Sequence, residues 1–122
     1  MILALVVGVV AGAGAVTRYV VDQVVSHWYR SSLPWGTFVV NVTGSFVLGL
    51  VTGLAVHHGL SHDLDMALGT GFASGYTTWS TLMVETATLT DDSRHIHALI
   101  TVGGSLAAGM SAAAAGLGLA LL

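Results

Sequence analysis

Long apolar runs dominate this chain, and short polar stretches cut them into four. Residues 2–25, 35–56, 64–89 and 98–122 are each long enough for a membrane-crossing helix, which needs roughly 20 mostly apolar residues. The stretches between them read SHWYRSSLP, HHGLSHD and TDDSRHIH. They hold most of the charge, all six histidines and the only proline, Pro34. Connections this short join antiparallel neighbours. The pattern predicts an all-α membrane protein with four transmembrane helices in a single domain over residues 1–122. The opening run MILALVVGVVAGAGA lacks a positively charged start and stays apolar past Ala15. That is too long for the core of an ordinary cleavable leader, so it reads as a retained span.

One stretch breaks the pattern. Residues 74–81, SGYTTWST, carry hydroxyls on six of eight side chains near the middle of the third apolar run. A single Ser or Thr can return its hydroxyl to the carbonyl four residues back. Six together, beside Gly75, predict a break in the third helix near 74–78. Non-helical backbone at membrane depth is tolerated only where it is buried in protein or lines a cavity. Freed carbonyls there would suit a small cation, whereas hydroxyls, an amide and ring edges would suit an anion. The residues alone predict an ion site and leave its charge open.

Sixteen glycines, mostly inside the spans, would be costly in water-soluble helices. In lipid they let backbones approach closely. Gly8-x-x-x-Gly12, Gly49-x-x-x-Gly53 and Gly71-x-x-x-Gly75 fit that use, and predict a tightly packed bundle that oligomerises.

Composition narrows the function. The chain is 54% hydrophobic and only 7% charged, with mean hydropathy +0.84, against about 25% charged in a soluble domain. There is no cysteine, hence no disulfide or thiolate metal site. Lysine is absent and the three arginines are scattered, which excludes a nucleic-acid surface. No catalytic constellation is present, so a non-enzyme is expected. Arg30 and Arg94 fall in the first and third connections, and the opposite side carries no arginine. The positive-inside rule then sets those connections in the cytoplasm and both termini outside.

Polar residues inside the spans are candidate functional groups, because burying them in lipid is expensive. Arg18 lies one turn before Asp22, which allows an i,i+4 ion pair or an anchor at a helix or subunit contact. Thr37, Asn41 and Ser45 recur every four residues along one helical face, fitting either interhelical hydrogen bonds or a pore-facing stripe. Glu85 is the only carboxylate well inside a span, and fits a proton-coupled binding site or a pore mouth. His57, His58 and His62 lack rigid ligand spacing and read as a solvated loop. His95 and His97, two apart, are assigned no chemistry.

The stretches GAGAVTRY, WGTFVVNVTGSFVLG and GFASGYTTWSTLMVE, in this order and spacing, resemble the CrcB/Fluc fluoride channels. The likeness covers the whole chain. It implies a passive, fluoride-selective channel in the cell (plasma) membrane, exporting fluoride that entered as hydrofluoric acid. It also implies an antiparallel dual-topology dimer with two pores along its interface. A central sodium ion would be held by backbone carbonyls at the positions of Ser74 and Thr77. By the same resemblance Thr37, Asn41, Trp79, Leu82 and Ser105 fall at pore positions, Glu85 at the pore mouth and Arg18 at the interface. Fluoride holds its water tightly, and a pore of neutral donors replaces that water without trapping the ion.

This chain departs from the family in two places. Trp79 and Leu82 stand where phenylalanines are usual; tryptophan keeps an aromatic edge, and leucine has none. The departure predicts weaker conduction by a homodimer, or a heterodimer whose homologous partner supplies the missing ring. The arginine bias favours the heterodimer slightly. The competing class is a small proton-coupled four-helix exporter using Glu85; such a protein needs a central acid in its first helix, and here no acid precedes Asp22. A non-conducting structural subunit is the third class.

Overall fold

The computed structural model describes residues 1–29 and 33–122, so Arg30, used above for orientation, lies outside the described residues. The helices are α1 (Ile2–Trp28), α2 (Trp35–His57), α3 (His62–Asp65), a π-helical segment (Met66–Ala73), α4 (Ser74–Tyr76), α5 (Ser80–Asp91) and α6 (His95–Ala120). Three of them, α1, α2 and α6, are long and apolar enough to cross a membrane. The third crossing is built from the remaining pieces and is interrupted at residues 77–79. The chain is a helical membrane protein with a broken third span.

Several boundaries differ from the pattern reading. Helix α1 continues to Trp28, and α6 begins at His95, so His95 and His97 lie in its first turn rather than in a loop. Ser61 starts α3 by accepting from the Leu64 N–H at 3.3 Å, the usual service of a serine cap. Gly59 turns the chain after α2 at φ +67°, a conformation that costs glycine nothing. At the end of α5 the same job falls to Ser93 at φ +60°. There the Arg94 N–H reaches back to the Leu89 carbonyl at 2.8 Å, closing the last turn.

Glycine decides how the helices meet. A β-carbon on Gly75 would strike the Ala11 carbonyl, and one on Gly14 would strike the Phe72 carbonyl. Gly71 lies against Val7 and Val10. The pairing of 7 with 71 and 11 with 75 makes α1 and the first half of the third span run parallel. A second parallel pair joins α2 to α6: Gly49 abuts the Ala113 backbone, Gly53 abuts Leu117 and Ala120, and Gly116 abuts Phe46 and Leu50. Two of the three small-residue motifs therefore act inside the protomer. Gly8 and Gly12, the third, have nothing within 4 Å.

The outer surface is apolar. Ile2, Leu5, Val9 and Val16 on α1 and Ile96, Leu99 and Met110 on α6 are exposed, as expected where lipid is the solvent. Trp28, Tyr29 and Trp35 gather where α1 ends and α2 begins, the belt position that amphipathic rings favour. The buried apolar set among the described residues is small: Val40, Val51, Ala73, Tyr76, Leu82, Leu89, Ala98 and Ala120.

A candidate ion site at the broken helix

The third span changes partners along its length. Its first half packs on α1, while α5 packs on α6, and α2 crosses between the two halves. Gly44 permits that crossing, since a β-carbon there would meet the Thr77 methyl and the Tyr76 ring. Tyr76 is anchored beside it. Its hydroxyl pairs with Thr43 Oγ1 at 2.8 Å, and its ring stacks on Phe72 with centroids 5.7 Å apart.

The break itself falls at 77–79, whereas Ser74, Gly75 and Tyr76 remain helical. Gly75 does not interrupt the helix, because its missing side chain serves contact with Ala11. Interruption comes where Thr77 turns extended, at φ −77° and ψ 157°. The next amide then leaves the helical ladder. Thr78 N–H donates to Asn41 Oδ1 at 2.8 Å, and Asn41 Nδ2 donates to the Thr78 carbonyl at 2.8 Å. Thr78 Oγ1 accepts from the Thr81 N–H at 3.2 Å and so caps the restarted helix.

Other described hydroxyls of this stretch are also engaged. Thr77 donates to the Ala73 carbonyl at 2.9 Å, the local back-bond considered for any single threonine. Ser74 Oγ reaches the Gly69 carbonyl at 3.4 Å. Much of the polarity that looks misplaced in the sequence is spent on shaping the break.

Beside the break lies an open groove of about 360 Å³. Asn41, Trp79, Leu82 and Ser105 line it, together with Thr77 and Ser45. Four of the five expected pore positions are thus brought together, and none of the groove's lining residues is charged. Two of the donors on its walls stand out. Ser105 Oγ is buried and has no hydrogen-bond partner. An amide nitrogen carries two hydrogens, and only one of Asn41's is committed, to Thr78. Leu82 is 2% exposed and Trp79 59%, so the leucine forms floor and the indole stands at the rim.

Thr37 lies outside this groove. It is 2% exposed and donates to Glu85 Oε1 at 2.8 Å. Glu85 Oε2 is buried without a hydrogen-bond partner. The carboxylate borders a larger cavity of about 520 Å³, with Asp22, Asp92 and Arg94 on its walls. Arg18 lines a third space of about 170 Å³ with Thr37, Thr78 and Thr81. Its i,i+4 ion pair with Asp22 does not form: Asp22 Oδ1 takes Ser26 Oγ instead, at 3.5 Å, and has turned toward Gly36 at the start of α2. Ser74, expected at a cation site, is exposed on the protomer surface. No group of three or more His, Asp or Glu side chains suited to a metal occurs among the described residues.

Sequence reasoning missed three parts of this arrangement. Thr78 is the hub through which α2 holds the break, although only the density of hydroxyls marked the region. Thr43 as partner of Tyr76 had no signal beyond its place in the second span. The α6 wall contributes Leu106, Gly109, Met110 and Ala113; Gly109, four residues after Ser105, was its one readable trace.

Comparison with known proteins identifies the family. The family described as "CrcB-like protein, Camphor Resistance (CrcB)" matches residues 5–117. The "Fluoride-specific ion channel FluC 1" of Leifsonia xyli subsp. xyli is 45% identical over 116 residues, covering 95% of this chain and 85% of the relative. The "Fluoride-specific ion channel FluC 1" of Streptomyces avermitilis is 46% identical over 110 residues, 88% and 89% of the two chains. A "Fluoride-specific ion channel FluC 2" from Clostridium acetobutylicum is 36% identical over 104 residues, 85% and 86%. With a family match across nearly its whole length and relatives this similar over most of both chains, the chain belongs to the CrcB-like family.

Proposed function

We propose that this chain is a fluoride-selective ion channel subunit that passively exports cytoplasmic fluoride across the plasma membrane; it is not an enzyme. One observation carries the reading. An uncharged groove holds a buried, unpartnered Ser105 hydroxyl opposite an Asn41 amide with a hydrogen to spare. A small, strongly hydrated anion gives up water only to close donors, and neutral donors let it leave again. The fluoride-specific names of the similar channels point the same way.

The groove is open along one side of the protomer, which supports a pore closed by a second, antiparallel copy or homologue. The unpartnered Gly8 and Gly12 and the exposed Ser74 leave surfaces for it. In such a dimer the Ser74 and Thr77 carbonyls of both chains would hold sodium. When bound, sodium supplies positive charge that ties two broken helices together. The carbonyl chemistry fits, because Thr78 N–H, the natural partner of the Ser74 carbonyl, is turned to Asn41. The leucine at 82 favours a homologous partner that brings an aromatic ring.

Fluoride efflux from liposomes, with chloride as control, tests the proposal. Selective fluoride efflux is expected from the chain, alone or with its homologue, and its loss in Ser105→Ala. Equal passage of chloride would overturn the selectivity, and flux that runs only with an imposed pH gradient and disappears in Glu85→Gln would overturn the channel in favour of a proton-coupled exporter. The orphaned Glu85 Oε2 is what gives that second reading its footing.

A further inference from the structure

A hydrogen-bonding side chain that meets both the N–H and the C=O of one residue copies what a neighbouring strand or helical turn would provide. Asn41 does this to Thr78, with both bonds at 2.8 Å. In an unbroken helix the Thr78 N–H would close on the carbonyl four residues back, that of Ser74. We infer that Asn41 is the positioning residue that holds the third span open, and that by capturing the Thr78 N–H it keeps the Ser74 carbonyl available as a cation ligand. This role is distinct from lining the groove, which uses the second amide hydrogen. The link to a cation rests on the sodium reading above.

The surroundings agree with a clamp. Asn41 follows fully buried Val40 on α2, so its backbone is fixed by packing. Gly44, one turn on, brings α2 against Thr77 and Tyr76. Thr43 pins Tyr76 from the same helix at 2.8 Å. A single turn of α2, residues 41–44, therefore grips the span on either side of residue 77. The threonine back-bond from Thr77 to Ala73 satisfies the last turn before the break, and the Thr78 hydroxyl starts the helix after it. The Thr78 amide in between is taken up by Asn41.

Two substitutions separate the clamp from the groove. Asn41→Asp keeps an oxygen acceptor for the Thr78 N–H but sets a negative charge beside the groove. Asn41→Leu keeps the approximate size and removes both bonds. Fluoride efflux should fall in both. The response of thermal unfolding to sodium chloride, against choline chloride, should differ. In Asn41→Leu the sodium concentration giving half the stabilisation should rise by about tenfold or more, and in Asn41→Asp it should stay within about twofold of the unaltered chain, since only ligands of the folded form shift unfolding. Both variants keeping the normal response, or both losing it, would overturn the proposal. If the unaltered chain shows no sodium response, the sodium reading falls, and the clamp is decided on its own by NMR. A through-hydrogen-bond coupling between the Thr78 amide nitrogen and the Asn41 side-chain carbonyl carbon is expected in the unaltered chain. Its absence sinks the clamp whatever the variants do.

Discussion

Thr37 and Glu85 join α2 to α5 by a single hydrogen bond at 2.8 Å, and the other carboxylate oxygen already lacks a partner. Thr37→Val keeps the shape of the side chain but strands the whole carboxylate. A buried acceptor left without its donor costs about 1–3 kcal/mol, so a lower unfolding temperature in detergent is expected, and an unchanged one would mean that water replaces the hydroxyl. Leu82 is one of the two positions where the resemblance to the fluoride channels leads one to expect a phenylalanine. Because the groove beside it is open, Leu82→Phe has somewhere to place its ring, and a several-fold faster fluoride efflux is expected from the single chain. An unaltered rate would show that the missing ring does not limit conduction. The identities of these residues were readable; their partners were not. Thr37, Asn41 and Ser45 do share a helix face, but which neighbour each meets depends on α5 and α6, and spacing along α2 carries no record of that. Arg18 and Asp22 show the same gap from the other side, since ideal i,i+4 spacing did not produce an ion pair once Asp22 had Gly36 and Ser26 to turn to.

At the scale of the element, glycine placement turns into testable contrasts. Gly75→Ala and Gly116→Ala each drive a β-carbon into a neighbouring backbone carbonyl, which cannot rotate away as a side chain can. Overpacking of this kind costs about 1–3 kcal/mol, and loss of folded protein on extraction from membranes is expected. Gly8→Ala and Gly12→Ala meet nothing within 4 Å and should leave the protomer's stability unchanged. A loss of dimer on cross-linking in those two variants would assign that face to a second chain. Ser93 holds a left-handed conformation at φ +60°, which costs a non-glycine residue roughly 1–2 kcal/mol. Ser93→Gly should therefore raise thermal stability, and a decrease would mean that the serine makes an interaction of its own. Helix existence was legible from apolar run length, and the broken third span from its hydroxyls. The π-helical segment was not legible. Nothing in the composition of Met66–Ala73 separates it from α-helix. The interruption also fell later than the glycine suggested, because Gly75 was needed for contact and the amide leaving the ladder belongs to Thr78.

At the scale of the whole molecule, two parallel glycine-packed pairs are bridged by one span that belongs half to each. The bundle leaves its uncharged groove open on one side, so the number of chains needed to complete a pore becomes the main question of function. Reconstituted alone, the chain should release fluoride slowly, and addition of a homologous chain that carries the aromatic ring should speed release. Robust efflux from the purified single chain, undiminished relative to the mixture, would remove the need for a different partner. Four spans and membrane residence were plain in the sequence because lipid imposes a length and a composition on every crossing. The groove was visible only as scattered polar positions, because its walls come from α2, α5 and α6 and meet only after the bundle closes.

That second spans pair with fourth spans has a consequence for how the chain is made. Residues 45–53 of α2 find their backbone partner in residues 109–120 of α6, a span made only after the other three. Until then Gly49 and Gly53 present an uncovered strip to lipid and to any other nascent helix, and contacts this distant in sequence form late. The contact that locks α2 in place thus waits for the fourth span. A chain cut short before α6 would insert three spans and still have its second helix unpaired, a ready target for membrane quality control.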